Sequence, residues 1–135
     1  MFLFAVLAAS FSAILVAPAI ASAGCQAAGS GNPTYVDGSV RIISGLQCSG
    51  TIGSHYEVRT YLQGSSGGFH IVSGPQTKQF YSPTSGIHVD PYYFPCSPLT
   101  PSDSQIRSKI VVENVVTGTT DIGYSGAVTR PANCQ

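Results

Sequence analysis

Residues 55–63, HYEVRTYLQ, alternate without a break, and this alternation limits the available folds more than any other feature of the chain. In an extended strand Tyr56, Val58, Thr60 and Leu62 fall on one side, and His55, Glu57, Arg59 and Tyr61 on the other. One side suits a core and the other suits water, as in a sheet with a single covered face. Gly64-Ser65-Ser66-Gly67-Gly68 then turns the chain into a second short strand, residues 69–73, so the unit reads as a β-hairpin. In that second strand Phe69 and Ile71 are expected to face the core and His70 and Val72 to face away, with Gly74-Pro75 ending it.

The rest of the chain carries the same kind of signal. Val40, Ile42, Ser44, Leu46 and Cys48 share one face of a strand, with Arg41 and Gln47 opposite. Residues 105–116 form the longest candidate, with Ile106, Ser108, Ile110, Val112 and Asn114 alternating against Arg107, Lys109, Val111, Glu113 and Val115. Shorter candidates lie at 34–36, at 77–81, at 86–89 with Ile87 and Val89 inward and His88 outward, and at 121–130 with Ile122, Tyr124 and Val128 on one face. Residues 24–33 read as a loose segment held by Cys25. Residues 90–104, with four prolines between Pro91 and Pro101, read as a stiff connection pinned by Cys96. Nothing after the first 23 residues has helical spacing over two turns. The expectation is an all-β, immunoglobulin/fibronectin-like sandwich of about seven strands.

Those first 23 residues, MFLFAVLAASFSAILVAPAIASA, are apolar and end in Ala21-Ser22-Ala23, the small-x-small form of a signal-peptidase site. No Lys or Arg precedes Arg41, so the basic n-region is reduced to the N-terminal amine. A membrane helix is the rival reading. Pro18, the many Ala and Ser residues and the absence of basic stop-transfer residues favour cleavage after Ala23. The expected organisation is a leader over 1–23, a secreted domain over 24–135 and no membrane span once the leader is removed. Ser22-Ala23-Gly24-Cys25 also has the outline of a degenerate lipobox, which would anchor Cys25 by a lipid.

Export makes the cysteines legible. Cys25, Cys48, Cys96 and Cys134 are an even set, widely spaced and without the close pairs of a zinc site, so two disulfides are expected and no metal. Of the three possible pairings, the sandwich order selects Cys25–Cys48 at one end and Cys96–Cys134 at the other. The tryptophan that packs on an antibody domain's core bridge is lacking. Six basic and six acidic side chains cancel, which gives nucleic-acid binding no electrostatic support.

The succession QCSG, YEVRTYLQ, GGFHIVS, a Pro-Cys loop, SQIRSKIVV and a closing TGTT hairpin resembles small exported two-disulfide β-sandwich proteins of the actinobacterial type. The resemblance implies fold and export; most such proteins have no assigned activity, and it brings no catalytic residue with it.

Two classes of function fit these residues. His55, Glu57 and Arg59 project from one strand face and could act as the acid–base and charge-stabilising groups of a small secreted hydrolase of the ribonuclease kind, with His70 the one candidate partner across the hairpin. His55 and His70 with Glu57 could also be imagined around a metal, whereas His88 belongs to the other sheet. A solvent face must be polar in any case, and no serine sits in a nucleophile-elbow context. The preferred reading is a non-enzymatic module without cofactor, and monomeric. It would recognise an extracellular protein or glycan, or serve as an envelope-associated structural part, through a face comprising His55, Glu57, Arg59, Tyr61, His70, Arg107, Lys109 and Glu113. Tyr92, Tyr93 and Phe94 are a second candidate contact, against the simpler reading that at least two of the rings pack over the Cys96 bridge. Non-reducing mass spectrometry of the exported product is expected to give a mature N-terminus at Gly24, no lipid, and peptides linked 25–48 and 96–134. A Cys25–Cys96 link would refute the strand order.

Overall fold

The computed structural model describes residues 24–50 and 52–134, so the leader expected over 1–23 lies outside the described residues. Nine strands follow in order: β1 (Gly24–Gly29), β2 (Thr34–Val36), β3 (Ser39–Ser49), β4 (His55–Gly64), β5 (His70–Tyr81), β6 (Gly86–Pro95), β7 (Gln105–Asn114), β8 (Thr120–Tyr124) and β9 (Val128–Thr129). No helix occurs among the described residues. β1 and β2 run one after the other along one edge of β3, and β6 takes its other edge. The second sheet is β5-β4-β7-β8, with β9 continuing beside β7. Counting each shared edge once gives seven strand positions, three facing four, in an immunoglobulin/fibronectin-like all-β sandwich.

The inward faces are those set by alternation. Val40, Ile42, Ser44, Leu46 and Cys48 of β3 meet Tyr56, Val58, Thr60 and Leu62 of β4 and Ile106, Ser108, Ile110 and Val112 of β7, and all of them are buried. The core divides in two. Val40, Ile42, Leu62, Phe94, Leu99 and Ile106 pack with Cys96 and Cys134 at one end. Leu46, Ile52, Tyr56, Val58, Ile110 and Val112 pack with Cys48 at the other. Between them lie the buried Ser44, Thr60 and Ser108, and the Ser44 and Thr60 hydroxyls hydrogen-bond across the two sheets at 2.5 Å. The bridges are Cys25–Cys48 and Cys96–Cys134, one at each end, and none of the described cysteines is free. With its Sγ in a bridge, Cys25 has no thiol to carry a lipid.

Several local expectations give way to pairing. Residues 24–29 are not loose; they form β1, with Cys25 directly opposite Cys48. β5 does not stop at Gly74-Pro75. It is an edge strand, paired only to β4, so a proline without an N–H costs it no ladder bond. The chain passes through a cis Gly74-Pro75 peptide, and Gly74 at φ 105° has no side chain to strike the Thr60 carbonyl. Two one-residue register shifts beside Leu62 admit this bend and together leave the parity of β5 unchanged; that parity is set at the turn, where His70 and Ile71 lie opposite Gly64 and the outward Gln63. Val72 therefore packs on the core, while Ile71 is 45% exposed and Phe69 lies against Arg107 on the outer face.

β6 likewise continues through Pro91 to Pro95 on the free edge of β3, where a connection was expected. Phe94 and Tyr92 lie opposite Val40 and Ile42, and their burial fixes the parity of the whole strand. His88 consequently shares the inward side with Leu46, and Ile87 is left 64% exposed. Two of the three rings, Tyr92 and Phe94, pack on the core and Tyr93 does not. The 121–130 run splits: Ile122 and Tyr124 lie opposite Val111 and Lys109 on the outer face, and Val128 alone packs inward from β9. β7 ends at Asn114 instead of Val116, because the Asn114 Oδ1 accepts the N–H groups of Val116 and Thr117 and turns the chain.

Thr60→Val is expected to strand the Ser44 hydroxyl and cost about 1–3 kcal/mol. Adding Ser44→Ala should recover part of that loss. Chemical denaturation of the two single variants and the double variant checks this, and additive losses would show that the hydroxyls do not interact.

Candidate functional site

The outer face of β5-β4-β7-β8 carries seven of the eight expected contact residues. His55, Glu57, Arg59 and Tyr61 project from β4; Arg107, Lys109 and Glu113 project from β7. Glu57 and Glu113 are directly opposite each other, an unfavourable pair that Arg59 resolves. Its Nη1 lies 2.9 Å from Glu113 and 3.4 Å from Glu57. The hydrogen bond to Glu113 outweighs burial, and with Glu57 it holds the guanidinium above its ordinary pKa. His55 stacks on Tyr81 with centroids 4.4 Å apart and hydrogen-bonds Gln79. Imidazole, carboxylate and guanidinium thus share a face, as alternation required, but each is engaged by a neighbour in the sheet.

The other end of the face is built differently. The Arg107 guanidinium lies between two rings, 4.1 Å from the centroid of Phe69 and 4.2 Å from that of Tyr124. Its Nε donates to Gln63 Oε1 at 2.7 Å. Lys109, two residues along β7, sits 5.8 Å from the ring of Tyr61, the residue opposite it. Among the described residues neither cation has a carboxylate within ion-pair distance; those pairs involve Arg59, His70 and Lys78. Phe69, Tyr124 and Gln63 are the members of this cluster that the sequence reading did not place. Phe69 was expected in the core, and no local signal disclosed the pairing of His70 with Gly64 at the turn that puts it outward.

His70 is the contact residue that the structure removes from this face. It opens β5 opposite Gly64, whereas His55 lies opposite Tyr81, so the two histidines occupy opposite ends of the β4–β5 ladder. His88 is in the other sheet, with its Nε2 2.7 Å from the Thr84 carbonyl. No group of three His, Cys, Asp or Glu side chains among the described residues is arranged to hold a metal ion. His70 instead meets Asp103, whose side chain is 2% exposed, with its Nε2 3.8 Å from Oδ1. Gly64 makes room for this carboxylate, since a Cβ there would lie 2.4 Å from Asp103 Oδ1.

Clefts lie elsewhere. One of about 250 Å³ opens between β1 and β8, lined by Ala27, Gly29, Asn32, Ser108, Gly123 and Ser125. Another of about 350 Å³ is lined by Cys25, Tyr56, Asn114, Thr117 and Asp121 among others. Neither contains His55, Glu57 or Arg59.

Fold and surface together describe an all-β, two-disulfide sandwich with a mixed aromatic and charged outer face on β5-β4-β7-β8. No protein-family model, curated protein or solved structure matches the chain.

Asp103 generates a pH prediction. Burial alone would raise its pKa, but the Thr100 and Ser66 N–H groups, the Thr100 hydroxyl and nearby His70 reverse that and bring it below its ordinary value. A carboxylate depressed on folding stabilises above its unfolded pKa of about 3.9, and that contribution is lost as pH falls through the lower folded value. Asp103→Asn should therefore lower the melting temperature at neutral pH, by an amount corresponding to about 1–3 kcal/mol. The gap to wild type should narrow below about pH 4. Thermal melts from pH 7 to 2 measure it, and a gap constant over that range would contradict this assignment.

Proposed function

We propose that the protein is exported and works outside the cell by surface recognition, contacting a protein or glycan with the outer face of β5-β4-β7-β8 and performing no catalysis. The observation that carries this reading is the state of the groups on that face. Arg59 is committed to two carboxylates and His55 to Tyr81 and Gln79, whereas Tyr124 and Ile122 are about half exposed, at 51% and 48%. A hydrolytic site needs its acid and base free to reach a substrate in a recess that excludes water. A recognition surface needs ordered aromatic and cationic side chains that bury area at small entropic cost. The two disulfides support an extracellular setting.

The test uses the exported protein in a binding screen against extracellular proteins and glycans, with Tyr124→Ser and Ile122→Ser as surface variants. A genuine ligand should lose about tenfold or more in affinity to at least one of them. Their melting temperatures should stay near wild type. Hydrolysis of RNA or of a glycoside by the wild type, abolished in Glu57→Gln, would overturn the reading.

A further inference from the structure

Charge on this face is segregated, and the segregation selects a ligand. At one end Arg59 joins Glu57 and Glu113, so the acidic groups are already answered from within the sheet. At the other end Arg107 and Lys109 lie one behind the other on β7, and no carboxylate is paired with either among the described residues. Side chains two apart on a strand are about 6.5–7 Å from each other along it. Both cations lie beside rings: Phe69 and Tyr124 flank the guanidinium and Tyr61 lies by the ammonium.

We infer that this end of the face, Gln63, Phe69, Arg107, Lys109, Tyr61 and Tyr124, binds an anionic polysaccharide, a glycan whose sugar rings carry carboxylate or sulfate groups. The inference rests on the reading of this face as the contact surface.

The chemistry has two halves. The planar guanidinium, clamped between rings and tied at Nε to Gln63, is held before any ligand arrives and keeps its terminal N–H groups for a forked contact with an oxyanion. Holding it in advance lowers the ordering cost of binding. Lys109 adds a second positive point along the strand, suited to a polymer with repeated charge. The exposed part of the Tyr124 ring and the neighbouring rings offer apolar surface to the C–H face of a pyranose.

An acidic peptide is the competing occupant, and the backbone argues against it. Arg107 and Lys109 project from β7, an inner strand paired by β4 and β8, so a peptide extending the sheet could add only at the β5 or β8 edge and would not cross the two cations. Of the described clefts, the one between β1 and β8 shares Tyr124 with this cluster, but its other lining includes Ala27, Ile43, Ser108 and Ile110, so it opens toward the space between the sheets and not onto the outer face.

The experiment titrates the exported protein with a polyuronate, a sulfated glycan, a neutral glucan and poly-L-glutamate at low and moderate salt, following amide chemical shifts. Expected are shifts clustered at Gln63, Arg107, Lys109 and Tyr124 with one or both acidic glycans, weakening as salt rises. The two glycan arms distinguish carboxylate from sulfate. Arg107→Ala and Lys109→Ala should each weaken binding about tenfold or more. Arg107→Lys should also weaken it, because it keeps the charge and loses the planar fork, while Lys78→Ala, a charge paired with Asp90 at the β5–β6 side, should bind as wild type. The wild-type shift map stands even if an Arg107 variant unfolds. Equal or tighter binding of poly-L-glutamate or the neutral glucan, or acidic-glycan binding unaffected by Lys109→Ala, overturns the inference. No shifts with either acidic glycan, alongside another ligand that perturbs the face, would overturn it and leave surface recognition standing; failure of every ligand to perturb the face would remove both.

Discussion

The structure depends on one contact between layers, the meeting of β3 and β4 through the inward faces of both strands. Ser44 and Thr60 lie at its centre and hydrogen-bond to each other in the dark of the core. A buried hydroxyl needs a partner, so this pair is satisfied in only one relative placement of the two strands. Sliding either strand by one residue would expose Leu46 or Leu62 and bury Arg59 or Gln47. The polar layer thus contributes alignment more than cohesion, and the apolar clusters on either side supply the cohesion.

Each cluster ends at a disulfide. The loops closed span 23 and 38 residues of sequence, for which chain-entropy reasoning gives about 3–4 kcal/mol per bridge. That is a large share of the net stability of a domain this small. The bridges also do different work. Cys25–Cys48 fastens an edge strand to its neighbour, so that the first six residues of a segment that read as loose form β1. Cys96–Cys134 joins the end of β6 to the last turn of the chain and roofs the cluster around Phe94.

With the interior fixed in this way, the outer face of β5-β4-β7-β8 is held as a platform. Its residues differ in availability more than in kind. The Glu57–Arg59–Glu113 group is satisfied within the sheet, as a solvent face often is, and Val111 is covered among its neighbours there. The Phe69–Arg107–Tyr124 stack holds a cation in place without neutralising it. Ring contacts restrain a guanidinium at little cost to its capacity to donate, which makes it the group on this face most free to act on something else.

Alternation in the sequence was enough to determine the all-β class, the inward faces of β3, β4 and β7, both disulfide pairings and the common face of His55, Glu57, Arg59, Arg107 and Lys109. Each of these follows from a period of two or from the order of strands in a sandwich, which are local or topological properties. What only the tertiary structure decided was parity and pairing at the edges. Phe69 and Val72 exchanged faces because the turn pairs His70 with Gly64 and Ile71 with the outward Gln63. Ile87 gave way to His88 because Phe94, six residues on, needed the core. His70 left the contact face because the same pairing gives it the parity of Val72 and brings it to the buried Asp103. In each case a short run with apolar residues on both sides fits either face equally well by itself, and the choice belongs to the strand it must pair with.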